Sequence, residues 1–231
     1  MIDVKEICSR AKEASYALSG YTSEQKNGML DAIADALTEK GNLARLAEAN
    51  ALDVREAEKN GRPAPFIDRL TLNEKRIATM IEGLKQVAAL PDPVGEIVEE
   101  RTLPNGLDLK RVRMPLGVIG IIYEARPNVT VDAAALCLKS GNAVVLRGGK
   151  DALDSNRVLY EIMRGAISAV GCDAGAVGFI DDPSREASKA MLGMDGYIDV
   201  IIPRGGEGLK KFVLDNATMP VIASAGGNCH T

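Results

Sequence analysis

The chain has 231 residues, 46% of them hydrophobic, which is enough to bury a substantial core. Its formal net charge of −4 argues against a general electrostatic attraction to nucleic acid or to an anionic membrane surface. No run of about 20 apolar residues is present to span a bilayer, and charges interrupt the first residues where a signal peptide would be apolar. These features predict a soluble, cytoplasmic protein that binds neither nucleic acid nor membrane.

The four cysteines are widely spaced and form no C-x-x-C pair, and the chain has a single histidine. A conventional zinc site needs more ligands than these, so we expect no bound metal. Cys229 and His230 are adjacent, which invites an interpretation as a thiolate beside its base. Neighbouring side chains on an extended strand point in opposite directions, however, and this favours a structural Cys229 over a nucleophilic one.

Residues 1–95 are predicted to be mainly helical, because apolar residues recur there at helical spacing. Thr22 precedes a polar first turn and is a candidate helix cap. Thr71-Leu-Asn-Glu74 matches the capping box, in which a hydroxyl and a carboxylate satisfy free N–H groups at a helix start. Four prolines are expected to interrupt or end the helices: Pro63, Pro65, Pro91 and Pro93.

Residues 96–113 alternate roughly between apolar and polar side chains on either side of a Pro-Asn-Gly sequence, which is typical of a β-hairpin. We expect Asn105 and Gly106 to supply the positive φ angles of a tight turn. A charged two-stranded ribbon is only marginally stable by itself. The hairpin is therefore predicted to lean on a neighbouring subunit or domain.

Residues 114–231 show a different pattern, in which short apolar runs alternate with amphipathic helical stretches. The predicted strands are Leu116–Tyr123, Asn142–Leu146, Ala176–Ile180, Ile198–Ile202 and Met219–Ala223. The predicted helices lie near Val131–Lys139, Asn156–Val170, Ser184–Leu192 and Glu207–Leu214. Strands that are apolar on both faces and alternate with helices indicate an α/β fold, with a parallel sheet covered on each side.

Ligands bind beyond the carboxyl ends of the strands in such a sheet, and three loops there carry polar residues: Glu124–Asn128, Arg147–Lys150 and Pro203–Gly208. The second loop places two cations around two glycines. This suits a phosphate, and it suits a tight turn with solvated charges equally well. The third loop opens a helix, whose free N–H groups and positive dipole end attract anions, although a plain strand-to-helix connection explains it as well.

The long run Met114–Thr130, continued by Lys139–Lys150, closely resembles the γ-glutamyl phosphate reductases, a branch of the aldehyde dehydrogenase superfamily. The resemblance implies a Rossmann-like cofactor-binding domain over residues 1–231 and a catalytic domain after residue 231. It also implies a homo-oligomer formed through the hairpin, and it allows an association with glutamate 5-kinase.

The implied reaction is the NADPH-dependent reduction of L-glutamate 5-phosphate to L-glutamate 5-semialdehyde and phosphate, the second step of proline biosynthesis. In the family a cysteine forms a thioester with the substrate, and its position lies beyond Thr231 rather than at Cys229. The fragment alone is thus expected to lack turnover. Two other interpretations stay open: a non-catalytic nucleotide-binding or interaction module, and a sibling reductase that acts on a different acyl phosphate.

The resemblance also implies roles for residues of the second loop. Arg147 falls where the superfamily usually has a ribose-binding lysine, and Gly148 follows it among the cofactor-binding positions. Lys150 lies near the place where NAD-preferring members often have a carboxylate. A cation there would instead suit a 2′-phosphate, which favours NADP(H).

Three further roles follow from the same resemblance. Gly205 and Gly206 match the helix start that faces the cofactor pyrophosphate. Asn128 resembles the asparagine whose amide helps to stabilise the oxyanion, although the surrounding loop differs from the general superfamily pattern.

Overall fold

The computed structural model describes residues 3–224, so Cys229 and His230 lie outside the described residues. Its N-terminal part is helical, as predicted. The helices are α1 Val4–Leu18, α2 Ser23–Ala36, α3 Lys40–Lys59, α4 Ala64–Leu70 and α5 Glu74–Ala89. None of the helices within residues 3–224 is long and apolar enough to cross a membrane.

The predicted cap at Thr22 is confirmed, and it forms a full capping box with Gln25. The box predicted at Thr71 is wrong. The Thr71 hydroxyl donates to the Ile67 carbonyl at 2.8 Å, at the end of α4. Asn73 caps α5 instead, by accepting from the Arg76 N–H at 2.9 Å. The connection between the two helices is so short that Thr71 serves the helix it ends rather than the next one.

Two of the four prolines act differently from the prediction. The helix α3 ends at Lys59, before either proline, where Gly61 adopts a φ of 67° that non-glycine residues rarely tolerate. Pro63 caps α4 and Pro65 lies in its first turn, where a backbone N–H has no helical partner to lose. These two prolines therefore begin a helix instead of breaking one, whereas α5 ends just before Pro91, as predicted.

The hairpin consists of β1 Ile97–Thr102 and β2 Asp108–Val112, paired antiparallel. Of its two predicted turn residues only Gly106 has a positive φ, at 85°. Asn105 keeps a negative φ, and its side-chain oxygen accepts from the Leu107 N–H at 3.2 Å. The prediction of a positive φ at Asn105 is therefore wrong, and the turn runs from Leu103 to Leu107, which are joined by a backbone hydrogen bond of 2.8 Å. All residues of both strands are exposed within this chain.

The α/β prediction is confirmed by a four-stranded parallel sheet in the order β5-β4-β3-β6. Its strands are β3 Val118–Tyr123, β4 Ala143–Arg147, β5 Val177–Phe179 and β6 Val200–Arg204. Its helices are α6 Asn128–Lys139, α7 Leu153–Ala169, α8 Arg185–Leu192 and α9 Glu207–Asn216. The run predicted as a fifth strand forms only a single parallel bridge, between Val221 and Ile201.

Alternate residues of each strand face opposite sides of the sheet. On β3, Ile119 and Ile121 belong to the core shared with α2, α5, α6 and α7, while Val118 and Ile122 pack with α1 and α8. The chain runs outward from β3 to β4 and β5, and then returns to place β6 on the other side of β3. This reversal creates a switch point between β3 and β6, where the crevice for a ligand is expected.

Candidate functional site

A cavity of about 370 Å³ lies at the carboxyl ends of β3 and β6, at the switch point. Its wall comes from the loop that links β3 to α6 and from the loop that links β6 to α9. Arg126 and Glu124 belong to the first loop, and Arg204, Gly205 and Gly206 to the second. The parallel pairing of Tyr123 with Arg204 brings these two loops side by side.

The Glu124 carboxylate occupies the start of α9. Its Oε1 accepts a hydrogen bond from the Gly206 N–H at 2.9 Å. A Cβ added at Gly205 would lie 2.6 Å from Glu124 Cδ, so the glycine leaves room for the carboxylate. The carboxylate takes the position that an external anion, such as a phosphate oxygen, takes at a helix start. The free N–H groups and the positive dipole end stabilise a negative charge there. The sequence placed Glu124 in a candidate loop but assigned it no role.

The glycines that follow β4 are required by close packing. A Cβ at Gly148 would lie 2.2 Å from Asn156 Nδ2, and one at Gly149 would lie 3.2 Å from the Ala125 nitrogen. Both glycines thus bring the β4 loop against its neighbours whether or not a ligand binds. Any preference for a phosphate in this loop rests on its two cations.

Arg147 is turned partly inward. Its Nη2 donates to the Pro183 and Ser184 carbonyl oxygens, the latter at 3.1 Å, and so ties the loop before α8 to the end of β4. Burial lowers the pKa of Arg147, and the Coulombic effect of nearby Asp182 opposes the shift. Within residues 3–224, its buried Nε has no hydrogen-bond partner. The ribose-binding role of Arg147 stays a prediction.

Lys150 begins a short 3-10 turn, Lys150–Ala152, and is exposed. In the described part of the chain its ammonium group has neither a hydrogen-bond acceptor nor an ion-pair partner. The next residue, Asp151, is held by two hydrogen bonds of 3.0 Å from Arg62 on the neighbouring helical layer. The backbone under Lys150 is therefore anchored while its side chain projects from the carboxyl end of β4.

Asn128 is the first residue of α6, and its Nδ2 donates to Asp132 Oδ2 at 2.8 Å. Both residues line a second cavity, of about 310 Å³, together with Arg69, Arg76 and Arg126. Because Arg126 also lines the first cavity, the two cavities adjoin. Asn128 thus lines the cavity that adjoins the one lined by Gly205 and Gly206, and the predicted roles of all three stay predictions.

A buried polar chain holds the start of α6 that carries Asn128. Tyr123 Oη lies 2.7 Å from Thr130 Oγ1, which donates to Asn156 Oδ1 at 2.9 Å. Burial raises the pKa of Tyr123 far above its ordinary value, so the phenol stays protonated. Polar residues inside an amphipathic pattern gave no sequence signal for this network.

A second buried contact fixes the helix after the β4 loop. Asp53 on α3 accepts from the Ser155 N–H at 2.8 Å and from the Ser155 hydroxyl at 2.6 Å, at the first turn of α7. Burial raises the pKa of Asp53, and these hydrogen bonds oppose the shift. Asp53 gives no sequence signal beyond a carboxylate on an otherwise ordinary helix.

The cysteines that the structure describes are poorly suited to nucleophilic catalysis. Cys8 and Cys137 are buried, and burial raises the pKa of each to about 12. Burial also raises the pKa of Cys172. A nucleophile has to be a thiolate near neutral pH, so none of the three fits that role. No group of three potential metal ligands occurs within residues 3–224.

Comparison with known proteins places the chain in a family. The model of the aldehyde dehydrogenase family matches residues 2–231. The γ-glutamyl phosphate reductase of Carboxydothermus hydrogenoformans is 53% identical over 230 residues, covering 100% of this chain and 55% of that relative. The crystal structure of γ-glutamyl phosphate reductase from Thermotoga maritima has a TM-score of 0.95 at 41% identity, covering 99% of this chain and 55% of that one.

The γ-glutamyl phosphate reductase from Saccharomyces cerevisiae superposes with a TM-score of 0.88 at 34% identity, covering 98% of this chain and 57% of that one. The chain thus spans about half the length of the relatives it matches. The resemblance seen in the Met114–Lys150 motifs therefore extends over the whole sequence and fold. The chain belongs to the aldehyde dehydrogenase family.

Proposed function

We propose that residues 1–231 form the cofactor-binding part of an NADPH-dependent reductase of L-glutamate 5-phosphate, which yields L-glutamate 5-semialdehyde and phosphate in proline biosynthesis. The single observation that carries this proposal is the Gly206 N–H, which already binds a carboxylate beside the switch-point cavity. The names of the similar proteins supply the substrate and the reaction.

The family fold implies a nicotinamide nucleotide, and the helix start at Gly206, whose N–H binds a carboxylate, suits its pyrophosphate. In this proposal Gly205 and Gly206 hold the pyrophosphate in place of the Glu124 carboxylate. Arg147 and Gly148 would contact the ribose near the end of β4; within residues 3–224 the buried Nε of Arg147 has no hydrogen-bond partner. The 2′-phosphate of NADP(H) would take as its partner the ammonium of Lys150, which has no ion-pair partner within residues 3–224.

The bound dinucleotide would supply a hydride to the acyl carbon of the substrate. The side chains around the two cavities would bind and orient the reactants. Asn128 Nδ2, which donates to Asp132 in this structure, would donate to the oxygen that gains negative charge at the acyl carbon. Phosphate is already a good leaving group, so no general base for hydrolysis is required.

The nucleophile is placed outside the described residues. The three described cysteines have raised pKa values and are poor candidates. We infer a cysteine beyond Thr231 from the family resemblance alone. Attack by its thiolate on the acyl carbon would release phosphate and leave a thioester, which hydride then reduces.

The hairpin is proposed to form the contact between subunits of a homo-oligomer. Its strands are exposed on both faces, and they carry large apolar side chains that are 36–47% exposed: Ile97, Val98, Leu109 and Val112. Burial of such side chains against a second copy would compensate for the low stability of an isolated ribbon.

The test of the function compares two proteins: residues 1–231, and the product of the full reading frame that contains them. We expect the 231-residue chain to bind NADPH without turnover, and the full product to reduce NADP⁺ with glutamate 5-semialdehyde and phosphate in the reverse assay. Turnover by residues 1–231 alone would show that the nucleophile is misplaced. A reading frame that ends at Thr231 would instead favour the non-catalytic nucleotide-binding or interaction module.

A further inference from the structure

The second cavity is rich in cations. Three arginines reach it, from three different parts of the chain: Arg69 from α4, Arg76 from α5 and Arg126 from the loop before α6. Asp132 is the one carboxylate among the residues that line it in the described chain. Arg76 pairs with Asp68, so the other two guanidinium groups and the Asp132 carboxylate leave a net positive charge. The cavity is therefore disposed to bind an anion.

The three arginines differ in how they are held. Arg76 is occupied by contacts within the fold, because it donates to the Thr71 carbonyl and to Asp68 Oδ2, each at 2.8 Å. Arg69 and Arg126 are exposed, and neither guanidinium has an acceptor or an ion-pair partner among residues 3–224. Within the described chain, two guanidinium groups are therefore available to bind a ligand, next to a third that is held by the fold.

The position of Arg126 assigns it to one end of a ligand. It lines both the cavity that holds Glu124 and Gly206 and the arginine-rich cavity, whereas Arg69 and Asp132 line only the latter of these two. A nucleotide in the first cavity can reduce only a carbon that lies close to it. The reacting carbon of a substrate in the second cavity must therefore lie where the two cavities meet, at Arg126. The phosphate bonded to that carbon then lies within the range of Arg126.

We propose that the arginine-rich cavity is the binding site for an amino-acid acyl phosphate, with Arg126 recognising the phosphate and Arg69 the α-carboxylate. Asp132, whose second oxygen is free of the Asn128 contact, would accept from the α-ammonium group. This inference rests on the proposed function, which decides that the phosphate end of the substrate, and not its α-carboxylate end, faces the first cavity. The charges match in kind: two anionic groups meet free guanidinium groups, and one cation meets a carboxylate.

The test is a titration of the 231-residue chain by calorimetry with the non-hydrolysable phosphonomethyl-ketone analogue of L-glutamyl 5-phosphate. Inorganic phosphate and L-glutamate are then measured by displacement of that analogue. Both arginines are exposed, so Arg126→Gln and Arg69→Gln are expected to fold. Arg55→Gln is the matched control, because Arg55 is exposed and, within residues 3–224, donates only to a carbonyl of its own helix.

We expect Arg126→Gln to weaken the binding of the analogue and of phosphate about tenfold, and to leave the affinity for L-glutamate unchanged. Arg69→Gln should lower the affinities for the analogue and for L-glutamate by a similar factor. Its affinities for phosphate and for NADPH should equal those of the parent chain. Arg55→Gln should change none of these affinities.

Equal affinity for the analogue in all four proteins would overturn the site, as would a parent chain that binds none of the three probes. The proposed function fails in a different way. If the analogue with one methylene less bound as tightly as the glutamyl one, with the same losses in Arg126→Gln and Arg69→Gln, the cavity would stand and the glutamyl substrate would be wrong.

Discussion

Strands β4 and β6 each end at an arginine that two glycines follow, yet the surroundings of these Arg-Gly-Gly sequences differ. After β4, the arginine turns inward to backbone carbonyls, and a Cβ on the first glycine, Gly148, would collide with buried Asn156. After β6, Arg204 is exposed, and a Cβ on Gly205 would meet the carboxylate of Glu124 and the tip of Leu209.

The difference lies in what each loop contacts. Asn156 is fully buried and shared in a hydrogen-bonded chain, so it has little freedom to move. Glu124 is exposed, and its carboxylate can rotate away. The backbone of the β4 loop is therefore held rigidly, while the β6 loop binds a carboxylate that can move away. A short motif alone does not distinguish these two uses.

The largest expected effect is that of alanine at the first glycine of the β4 loop. Gly148→Ala places a Cβ against Asn156 Nδ2, and we expect it to lower the free energy of unfolding by about 1–3 kcal/mol, as overpacking of a core does. Gly205→Ala is the matched variant, because its Cβ meets only the ends of movable side chains. Thermal unfolding should show a clear loss for Gly148→Ala and a smaller one for Gly205→Ala. Equal losses would remove the distinction between the loops.

Much of the fold could be predicted from the sequence because its signals are local. A predicted helix at Asn156–Val170 is observed at Leu153–Ala169, and the four strands of the sheet fall within a few residues of the predicted runs. Buried side chains recur at a spacing that differs between helices and strands, so the pattern of apolar residues identifies these elements. Errors occurred where two signals competed for one residue, as at Thr71 and Pro65.

The site was less predictable because its contacts join distant segments. Glu124 and Gly206 are 82 residues apart, and their hydrogen bond exists only because β6 returns to the side of β3. Asp53 caps a helix that starts 100 residues later. Strand order decides both contacts, and nothing in a local pattern of side chains encodes strand order.

The next effect concerns the cation of the β4 loop. Lys150→Glu should weaken NADPH binding about tenfold and NADH binding much less, because only NADPH carries a 2′-phosphate for the ammonium group to neutralise. Lys85→Glu, at an exposed position on α5, makes the same change of charge away from the loop. Titration calorimetry with both nucleotides measures the difference. A loss that is equal for NADPH and NADH would take Lys150 out of the 2′-phosphate site.

The smallest expected effect comes from changing Glu124, whose carboxylate binds to the β6 loop. Glu124→Gln keeps the shape of the side chain and removes the charge that competes with a phosphate at the start of α9. NADPH affinity should rise about threefold, while the melting temperature falls slightly as the helix loses a favourable charge. Glu186→Gln removes a carboxylate from the first turn of α8 and should cause only the fall in stability. If Glu124→Gln weakened NADPH binding instead, the carboxylate would be a partner of the nucleotide, and the contacts of the β6 loop would be as fixed as those of the β4 loop.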